Sequence, residues 1–239
     1  MVNDPVTFYG FTAVPRDPDF LFKDHPTASG PKPKQDPFTV TDFPLPHSEL
    51  VRKVREFVKA ALTEQTYNHS HRVYVYGTAL KRTHFPEWKY DDETYYLACL
   101  LHDIGTADRF LTTTKLSFEF KGAIVARDLI LSLHGPEDQA DSVCDAIVRH
   151  QDIFVQGGNI TVIGQVLQLA TILDNVGISV VASYPRDGWS ECFAKVIETE
   201  LRLKPWCHTS TFEVPDYKPG EPSRFATDVR GNEVMRQYD

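Results

Sequence analysis

The sequence predicts an all-α protein. Apolar residues recur with the 3.6-residue period of a helix in seven successive segments, and no segment alternates apolar and polar residues over the length of a useful strand. Prolines, which interrupt helices, lie mostly outside these segments, nine of the sixteen before residue 48 and four after residue 204. We therefore expect one helical domain over residues 48–210, between an extended, Pro-rich N-terminal arm (1–47) and an irregular C-terminal tail (211–239).

The first two helices follow the arm directly. The first is expected to begin after Ser48, a suitable N-cap, and to end near Leu62. The second is expected over residues 66–83. Apolar residues follow His69 at intervals of 4, 7 and 11 positions in this segment, at Val73, Tyr76 and Leu80. That spacing predicts that His69 faces the core.

The next two helices lie on either side of a polar loop. The third begins at Asp91 or Asp92, either of which can cap it, and runs to the pair His102–Asp103. The loop covers residues 105–117. The fourth helix covers about 118–133 and is expected to end with Gly135 at the C′ position, where a left-handed backbone favours glycine.

The last three helices complete the domain. The fifth is predicted from Pro136, in the first helical position, to His150. The sixth spans about residues 161–176. The seventh spans residues 189–203 and ends before Pro205, because proline cannot continue a helix.

Composition narrows the function classes. The 239 residues carry a net charge of −8 without a basic stripe, so no nucleic-acid partner is expected. No apolar run reaches membrane-spanning length and the N-terminus lacks the pattern of a secretory leader, so we expect a cytoplasmic protein without a membrane partner, the nucleus being the alternative. Four widely spaced cysteines are expected to be reduced thiols. A homo-oligomer remains open.

Four potential metal ligands lie in three of the predicted helices. His102 and Asp103 are adjacent at the end of the third, His69 lies in the second and Asp174 in the sixth. Two neutral imidazoles and two carboxylates balance the charge of a divalent cation and leave positions for water, which is typical of a catalytic site. Zinc is the first candidate, with one ion per chain, and Fe²⁺, Mn²⁺, Ni²⁺ and Co²⁺ are compatible with the same ligands.

Each of these residues also has an ordinary structural explanation. A single histidine on an apolar helix face is more often a hydrogen-bonded core residue than a ligand. A His-Asp dipeptide at the end of a helix also occurs by chance. The metal prediction therefore depends on all four residues being present in this order.

The order His, His-Asp, Asp resembles that of the HD metallohydrolase superfamily, and longer strings resemble the fungal cyanamide hydratases within it. These strings are Tyr67–Asn68–His69–Ser70, Leu100–Leu101–His102–Asp103, Arg149–His150–Gln151–Asp152, Leu173–Asp174–Asn175–Val176–Gly177 and Lys204–Pro205–Trp206–Cys207–His208–Thr209. The resemblance extends from about Tyr9 to Ser210. It implies an HD-domain helical bundle that hydrates cyanamide to urea with a metal-activated water.

The resemblance also implies roles for individual residues. His150 is expected to face the substrate and to donate a proton to the nitrile nitrogen, and Asp103 to accept one from the attacking water. The alternative for His150 is that Arg149–His150 complements the C-terminus of a helix.

Three further residues are expected near the substrate, namely Asn68, Lys115 and His208. For the segment around Lys115, the simpler explanation is that Ser117 caps a helix. His208 is equally compatible with a place on the surface.

Other functions remain open. Hydrolysis of a nucleotide phosphate, the commoner HD activity, ranks second because phosphate sites usually recruit several cations, and only Arg72, Lys115 and Arg149 lie next to the motifs. Hydration of another small nitrile or isonitrile is a nearer alternative, and a non-catalytic binding protein is a third.

One departure from the family bears on the substrate. Only seven residues, 178–184, separate Gly177 from Pro185, a stretch that is longer in the family. The shorter segment would open the pocket, change the substrate, or reflect an incorrectly joined coding sequence.

Overall fold

Ten α-helices and one two-stranded sheet make up the described part of the chain, and the predicted all-α fold is confirmed. The structure is a computed structural model that describes residues 4–17, 20–21, 39–155, 157–176, 184–215, 217–233 and 239. The helices are α1 (Pro5–Phe8), α2 (Glu49–Ala61), α3 (Glu64–His84), α4 (Asp92–Leu101), α5 (Asp108–Leu111), α6 (Phe118–Ser132), α7 (Glu137–Arg149), α8 (Val162–Val176), α9 (Trp189–Leu203) and α10 (Arg224–Arg230). The strands are β1 (Ala13–Pro15) and β2 (Asn159–Thr161), and 3-10 turns cover Val40–Asp42, Ile104–Thr106 and His208–Phe212.

Helices α3 and α4 form the centre of the protein. Residues 69–78 of α3 and 94–101 of α4 are buried without interruption. Helix α3 packs against α8, and α4 packs against α7, which in turn packs against α6. A helix that is buried on every face must satisfy its polar side chains inside the protein, and α3 carries His69, His71 and Arg72 among its buried residues.

The N-terminal arm is not wholly extended. Helix α1 forms one turn because the Asp4 carboxylate accepts hydrogen bonds from the backbone N–H groups of Val6 and Thr7, and because Pro5 occupies the start of a helix, where no N–H donor is needed. The expectation of an arm without helix is wrong at this turn. Strand β1 then pairs antiparallel with β2, with Val14 opposite Ile160, and so attaches the arm to the residues before α8.

The seven predicted helices correspond to α2, α3, α4, α6, α7, α8 and α9. Ser48 caps α2 and Asp91 caps α4, as the sequence indicates. Thr63 caps α3, which therefore starts two residues earlier than predicted. Pro136 is the N-cap of α7 rather than its first helical residue.

Helix α6 ends differently from the prediction. The residue with left-handed backbone is His134, at φ 62°, and not Gly135. The N–H of Gly135 donates to the carbonyl of Ile130 (2.9 Å), and the N–H of His134 donates to that of Leu131 (3.0 Å). A Cβ atom at position 135 would lie 2.5 Å from Cγ2 of Ile130. Glycine is therefore required there for close packing.

Two segments that were predicted to be irregular contain helices. Helix α5 lies in the loop 105–117, and α10 lies in the C-terminal tail. At the start of α10, the Glu213 carboxylate accepts hydrogen bonds from the N–H groups of Arg224 (2.7 Å) and Phe225 (3.2 Å). Ser223 also caps this helix locally by accepting the N–H of Ala226 (3.0 Å), but the helix has only 7 residues, too few to show a helical apolar period in the sequence.

Two further observations complete the fold. Among the described residues, no helix combines the length and apolar character needed to cross a bilayer. The short segment 178–184 lies outside the described residues except for Tyr184.

Candidate metal centre

Two helices bring His69, His102 and Asp103 together in the interior. His69 lies in the second turn of α3, whose start is fixed by the Thr63 side chain accepting the N–H of Thr66 (3.2 Å). His102 is the C-cap of α4, and Asp103 follows it directly. All three side chains are buried.

Gly105 allows the chain after Asp103 to pack closely on α6. A Cβ atom at this position would lie 2.0 Å from the carbonyl oxygen of Phe118. The glycine that follows the His-Asp pair therefore has a packing role, which keeps the turn 104–106 against the start of α6.

The three side chains converge through specific atoms. Nε2 of His69 lies 3.1 Å from Nε2 of His102 and 3.6 Å from Oδ2 of Asp103. Nε2 of His102 lies 3.2 Å from the same carboxylate oxygen. Within the described residues, this is the group whose donor atoms all lie close enough together to hold one metal ion.

The hydrogen bonds of the two rings fix which nitrogen carries the proton. Nδ1 of His102 donates to the carbonyl of Cys99 (2.8 Å), and Nδ1 of His69 donates to Oδ2 of Asp174 (2.5 Å). In the neutral form of each ring, Nε2 therefore presents its lone pair to the other ring and to the Asp103 carboxylate. Three electron-rich atoms at such short range repel one another unless a cation or a proton lies among them, so the donor set fits a divalent metal.

Electrostatics keep the acidic groups of the centre ionised. Burial opposes ionisation of Asp103, but the His102 ring beside it holds the pKa of this carboxyl below its usual range. For Asp174, the His69 ring and the Arg72 guanidinium likewise outweigh burial and lower the pKa. Burial lowers the pKa of His69, which favours the neutral ring that a metal requires. Burial acts in the same direction on His102, but the Asp103 carboxylate outweighs it and raises the pKa of His102, so a proton competes with a metal for this ring.

Asp174 lies beside the cluster and is bound from two sides. Its Oδ1 accepts from Nε of Arg72 (2.7 Å), and its Oδ2 accepts from Nη2 of Arg72 (2.9 Å) and from Nδ1 of His69. Asp174 and Arg72 are both fully buried. In this geometry the carboxylate orients the His69 ring, as carboxylates commonly do behind a ligating histidine. Its predicted role as a fourth ligand stays a prediction.

Trp189 also fixes the His69 ring. The indole stacks on the imidazole with ring centroids 4.1 Å apart and an angle of 15° between the planes. It is fully buried and stacks in turn on Phe193 (5.1 Å). The sequence placed Trp189 at the start of a helix but gave no signal of this contact, because it joins two segments that are 120 residues apart.

His150 lies next to the cluster at the end of α7. Its ring meets that of His102 edge-on, with centroids 5.2 Å apart. Nδ1 of His150 donates to the carbonyl of Ile147 (2.7 Å), so Nε2 is the remaining acceptor of the ring. Burial, with a contribution from His102, lowers the pKa of His150 to about 4. The ring is therefore neutral at pH 7.

A cavity of about 190 Å³ opens onto the cluster. Its polar lining residues are His69, His102, Asp103, His150, Gln151, Thr171 and Asn175, and its apolar lining residues are Ile153, Ile172, Phe193, Phe212 and Phe225. No lysine or arginine lines it in the part of the chain that the structure describes. Such a cavity suits a small, uncharged ligand.

The C-terminal tail supplies part of the apolar lining of this cavity. Phe212 and Phe225 stack on each other with centroids 4.3 Å apart, and Phe225 meets Phe193 edge-on at 6.1 Å. Sequence analysis missed Phe212 and Phe225 as site residues because the tail was predicted to be irregular.

The three residues that were predicted near the substrate lie elsewhere. Lys115 is exposed and Asn68 is half-buried, and neither lines the cavity. His208 is half-buried, with Nδ1 3.1 Å from Oε1 of the buried Glu119, and does not line the cavity either. Ser117 is the N-cap residue of α6, as the simpler explanation predicts, but its Oγ accepts the backbone N–H of His208 (2.8 Å) rather than an N–H of the helix.

The amino-acid sequence is similar to one protein family and to two characterised proteins. Residues 66–176 match the HD domain family. Two proteins of Saccharomyces cerevisiae, cyanamide hydratase DDI2 and cyanamide hydratase DDI3, are each 43% identical to the chain over 215 residues. Each alignment covers 85% of this chain and 91% of the yeast protein.

Proposed function

The chain belongs to the cyanamide hydratase family of HD-domain proteins, and from that premise we propose that it hydrates cyanamide to urea at the centre formed by His69, His102 and Asp103. The observation that carries the proposal is the convergence of the Nε2 atoms of two imidazole rings and one carboxylate at the wall of a small cavity. Cyanamide is small and uncharged, which matches a cavity of about 190 Å³ that no described lysine or arginine lines.

A divalent metal is the cofactor of this proposal, with one ion per chain held by His69, His102 and Asp103. When bound, it supplies a Lewis acid that makes water nucleophilic near neutral pH. Zinc is the first choice for two imidazoles and a carboxylate, and Fe²⁺, Mn²⁺, Ni²⁺ and Co²⁺ suit the same donors.

The residues around the cluster handle the protons. Hydration forms a C–O bond between water and the nitrile carbon, and both protons of that water must reach the nitrile nitrogen. The first transfer accompanies addition and gives isourea, and the second converts isourea to urea. Because the hydrogen bond to Ile147 leaves Nε2 of His150 as an acceptor, His150 takes the proton of the first transfer and then donates it. This keeps the predicted donor role and adds the step that supplies the proton. Asp103, which stays ionised, provides a second acceptor.

The lining argues against the phosphohydrolase alternative. Phosphate transfer needs cations to neutralise charge on the phosphoryl oxygens. Arg72 lies beside the cluster, but its guanidinium donates hydrogen bonds to Asp174 and to the carbonyls of Tyr184 (3.2 Å) and Pro185 (2.9 Å), so it is not available to a phosphate.

Urea release from cyanamide tests the proposal. Purified protein should form urea, lose this activity after chelation, and regain it with zinc. His102→Ala should lose bound metal and activity together, whereas His47→Ala, at an exposed position on the surface, should keep both. A metal-loaded protein that forms no urea, or that releases phosphate from nucleotides instead, would refute the proposed function.

The role of Asp174 has its own test. If Asp174 acts through His69, Asp174→Asn still offers an oxygen to Nδ1 and should weaken metal binding by about 10–100-fold. If Asp174 is a ligand, as the sequence predicts, the metal content should fall as far as in His102→Ala. Metal titration of both variants separates the two roles.

A further inference from the structure

Two of the residues that line the cavity, Gln151 and Asn175, each carry a side-chain amide oxygen that lacks a hydrogen-bond partner. Gln151 Oε1 and Asn175 Oδ1 are buried, and neither accepts a hydrogen bond from any described residue. Both residues line the cavity beside the metal cluster. Gln151 follows His150 directly, and Asn175 follows Asp174, so each is fixed next to a residue of the centre.

Buried amide oxygens without a donor are costly. A carbonyl oxygen loses its water on burial and recovers that free energy only if a donor reaches it. Two acidic or basic side chains next to these amides do have partners, since Asp174 binds Arg72 and His69, and His150 binds the carbonyl of Ile147. Two orphaned acceptors in one small cavity therefore indicate a ligand that brings N–H or O–H donors.

The proposed substrate carries the matching group. Cyanamide is a nitrile joined to an amino group, and that amino group has two N–H donors. His69, His102 and Asp103 line the same cavity, and the nitrile must lie beside them for hydration. With the nitrile at that cluster, the amino group is the end of the molecule that remains for the two amide oxygens to recognise.

We propose that Gln151 and Asn175 are specificity-determining residues whose side-chain oxygens accept hydrogen bonds from the amino group of cyanamide. The proposal rests on the proposed function and adds a reason for substrate choice. A nitrile that carries a methyl group in place of the amino group has the same size but would leave both oxygens without donors. Sites built to bind a donor reject such analogues strongly.

Acetonitrile is the probe that differs from cyanamide in this one group. Gln151→Met and Asn175→Leu remove the acceptors at nearly constant volume. Each should lower kcat/KM for cyanamide by about tenfold or more. The inhibition constant of acetonitrile against cyanamide hydration, which needs no turnover of acetonitrile, should change by less than about twofold.

A matched control separates recognition from damage to the fold. Gln139 is also buried with an unpartnered Oε1 but lies outside this cavity, so Gln139→Met should leave both constants unchanged. Gln151→Glu keeps an acceptor oxygen at the same length and should retain more of the preference for cyanamide than Gln151→Met.

The outcomes distinguish this inference from the proposed function. Wild-type protein that forms no urea refutes the function. The recognition of the amino group is refuted if the wild-type protein forms urea but the Gln151 and Asn175 variants keep the wild-type preference for cyanamide over acetonitrile. It is also refuted if these variants act on cyanamide and bind acetonitrile less well by the same factor. If Gln151→Met does not fold, the order of Gln151→Glu and Gln151→Ala decides in the same way.

Discussion

At the scale of single residues, backbone and carboxylate oxygens determine what the histidines of the centre can do. Nδ1 of His69, His102 and His150 each donates to such an oxygen, at 2.5, 2.8 and 2.7 Å respectively. Each ring therefore keeps Nε2 as an acceptor. Two of these acceptors belong to the cluster with Asp103, and the third, on His150, is available for proton transfer.

The proton-transfer role of His150 predicts a specific kinetic defect. Asparagine has no site that both accepts and releases a proton near pH 7, so His150→Asn should lower kcat by about 10²–10⁴-fold. It should still bind metal, because His150 is not one of the three clustered donors. Urea formation and metal content measured on the same sample check this.

His208→Asn is the control for that experiment. His208 does not line the cavity and should therefore keep kcat within a few-fold of wild type. A defect as large as that of His150→Asn would instead support the pocket role that the sequence predicted for His208.

His71 predicts how stability changes with pH. Its Nδ1 donates to the carbonyl of Tyr67 (2.9 Å), its Nε2 accepts from the hydroxyl of Tyr96 (3.0 Å), and burial lowers the pKa of His71 to about 4. The unfolded chain takes up a proton near pH 6.5 that the folded chain takes up only near pH 4. The stabilisation that the neutral His71 ring gives the folded protein is therefore complete above pH 7. It is lost as the pH falls from about 6.5 to about 4.

The expected change in unfolding free energy is large enough to measure. Between pH 7.5 and pH 5, His71 should cost the wild type about 2 kcal/mol of unfolding free energy. His71→Gln should show a pH dependence that is smaller by this amount in denaturant titrations, while His47→Gln should follow the wild type. Equal pH dependence in His71→Gln and wild type would mean that His71 is not held neutral.

Residue type and order along the chain predicted the cluster but not the contacts that support it. His69, His102 and Asp103 were predicted as ligands, together with Asp174, because two imidazoles and two carboxylates occur in the order of the HD superfamily. Trp189 and the orphaned oxygen of Gln151 gave no such signal, since their roles depend on contacts made only in the folded chain.

At the scale of elements, Arg72 joins α3, α8 and the segment before α9. It binds Asp174 through two nitrogen atoms and the carbonyls of Tyr184 and Pro185 through a third. Arg72→Met would leave the Asp174 carboxylate buried without its counter-charge, so we expect a loss of about 3–5 kcal/mol in unfolding free energy.

Arg52→Met is the matched control for Arg72→Met in urea unfolding. Arg52 also bonds to two carboxylates, those of Glu49 and Glu56, but on the exposed face of α2. Solvent screens these pairs, so the unfolding midpoint should hardly move. Similar effects of the two substitutions would mean that burial of the Arg72 pair adds nothing to stability.

Helices were predictable where the signal was local. The apolar period and the caps Ser48 and Asp91 located α2 and α4, and the predicted bounds of α9, 189–203, are those observed. The pairing of β1 with β2 and the cap that Glu213 gives α10 were not predictable, because each joins residues that are distant in the sequence.

At the scale of the whole molecule, the centre lies where two hydrophobic clusters meet. The larger cluster contains the buried residues of α3, α4 and α8, and the smaller one contains those of α9 with Ala226 of α10. Trp189 belongs to the smaller cluster and stacks on His69, whose helix runs through the larger one. A change in the position of the His69 ring would therefore change how the two clusters pack against each other.

Metal removal should consequently lower the stability of the whole protein. A metal that binds only the folded chain adds about 4 kcal/mol when its free concentration is 1,000 times Kd, which corresponds to a rise in Tm on the order of 10 °C for a chain of this size. Without the metal, the lone pairs of His69 and His102 face each other at 3.1 Å and the rings must move apart or take up protons. Chelation should therefore lower Tm, and it should leave the Tm of His102→Ala, which has lost a ligand, unchanged. Hydrogen exchange should increase in α3 and at the start of α9, where Trp189 lies on His69. A chelated wild-type protein with no bound metal and an unchanged Tm would show that the centre folds as well without a cation, and the metal assignment would then have to be abandoned.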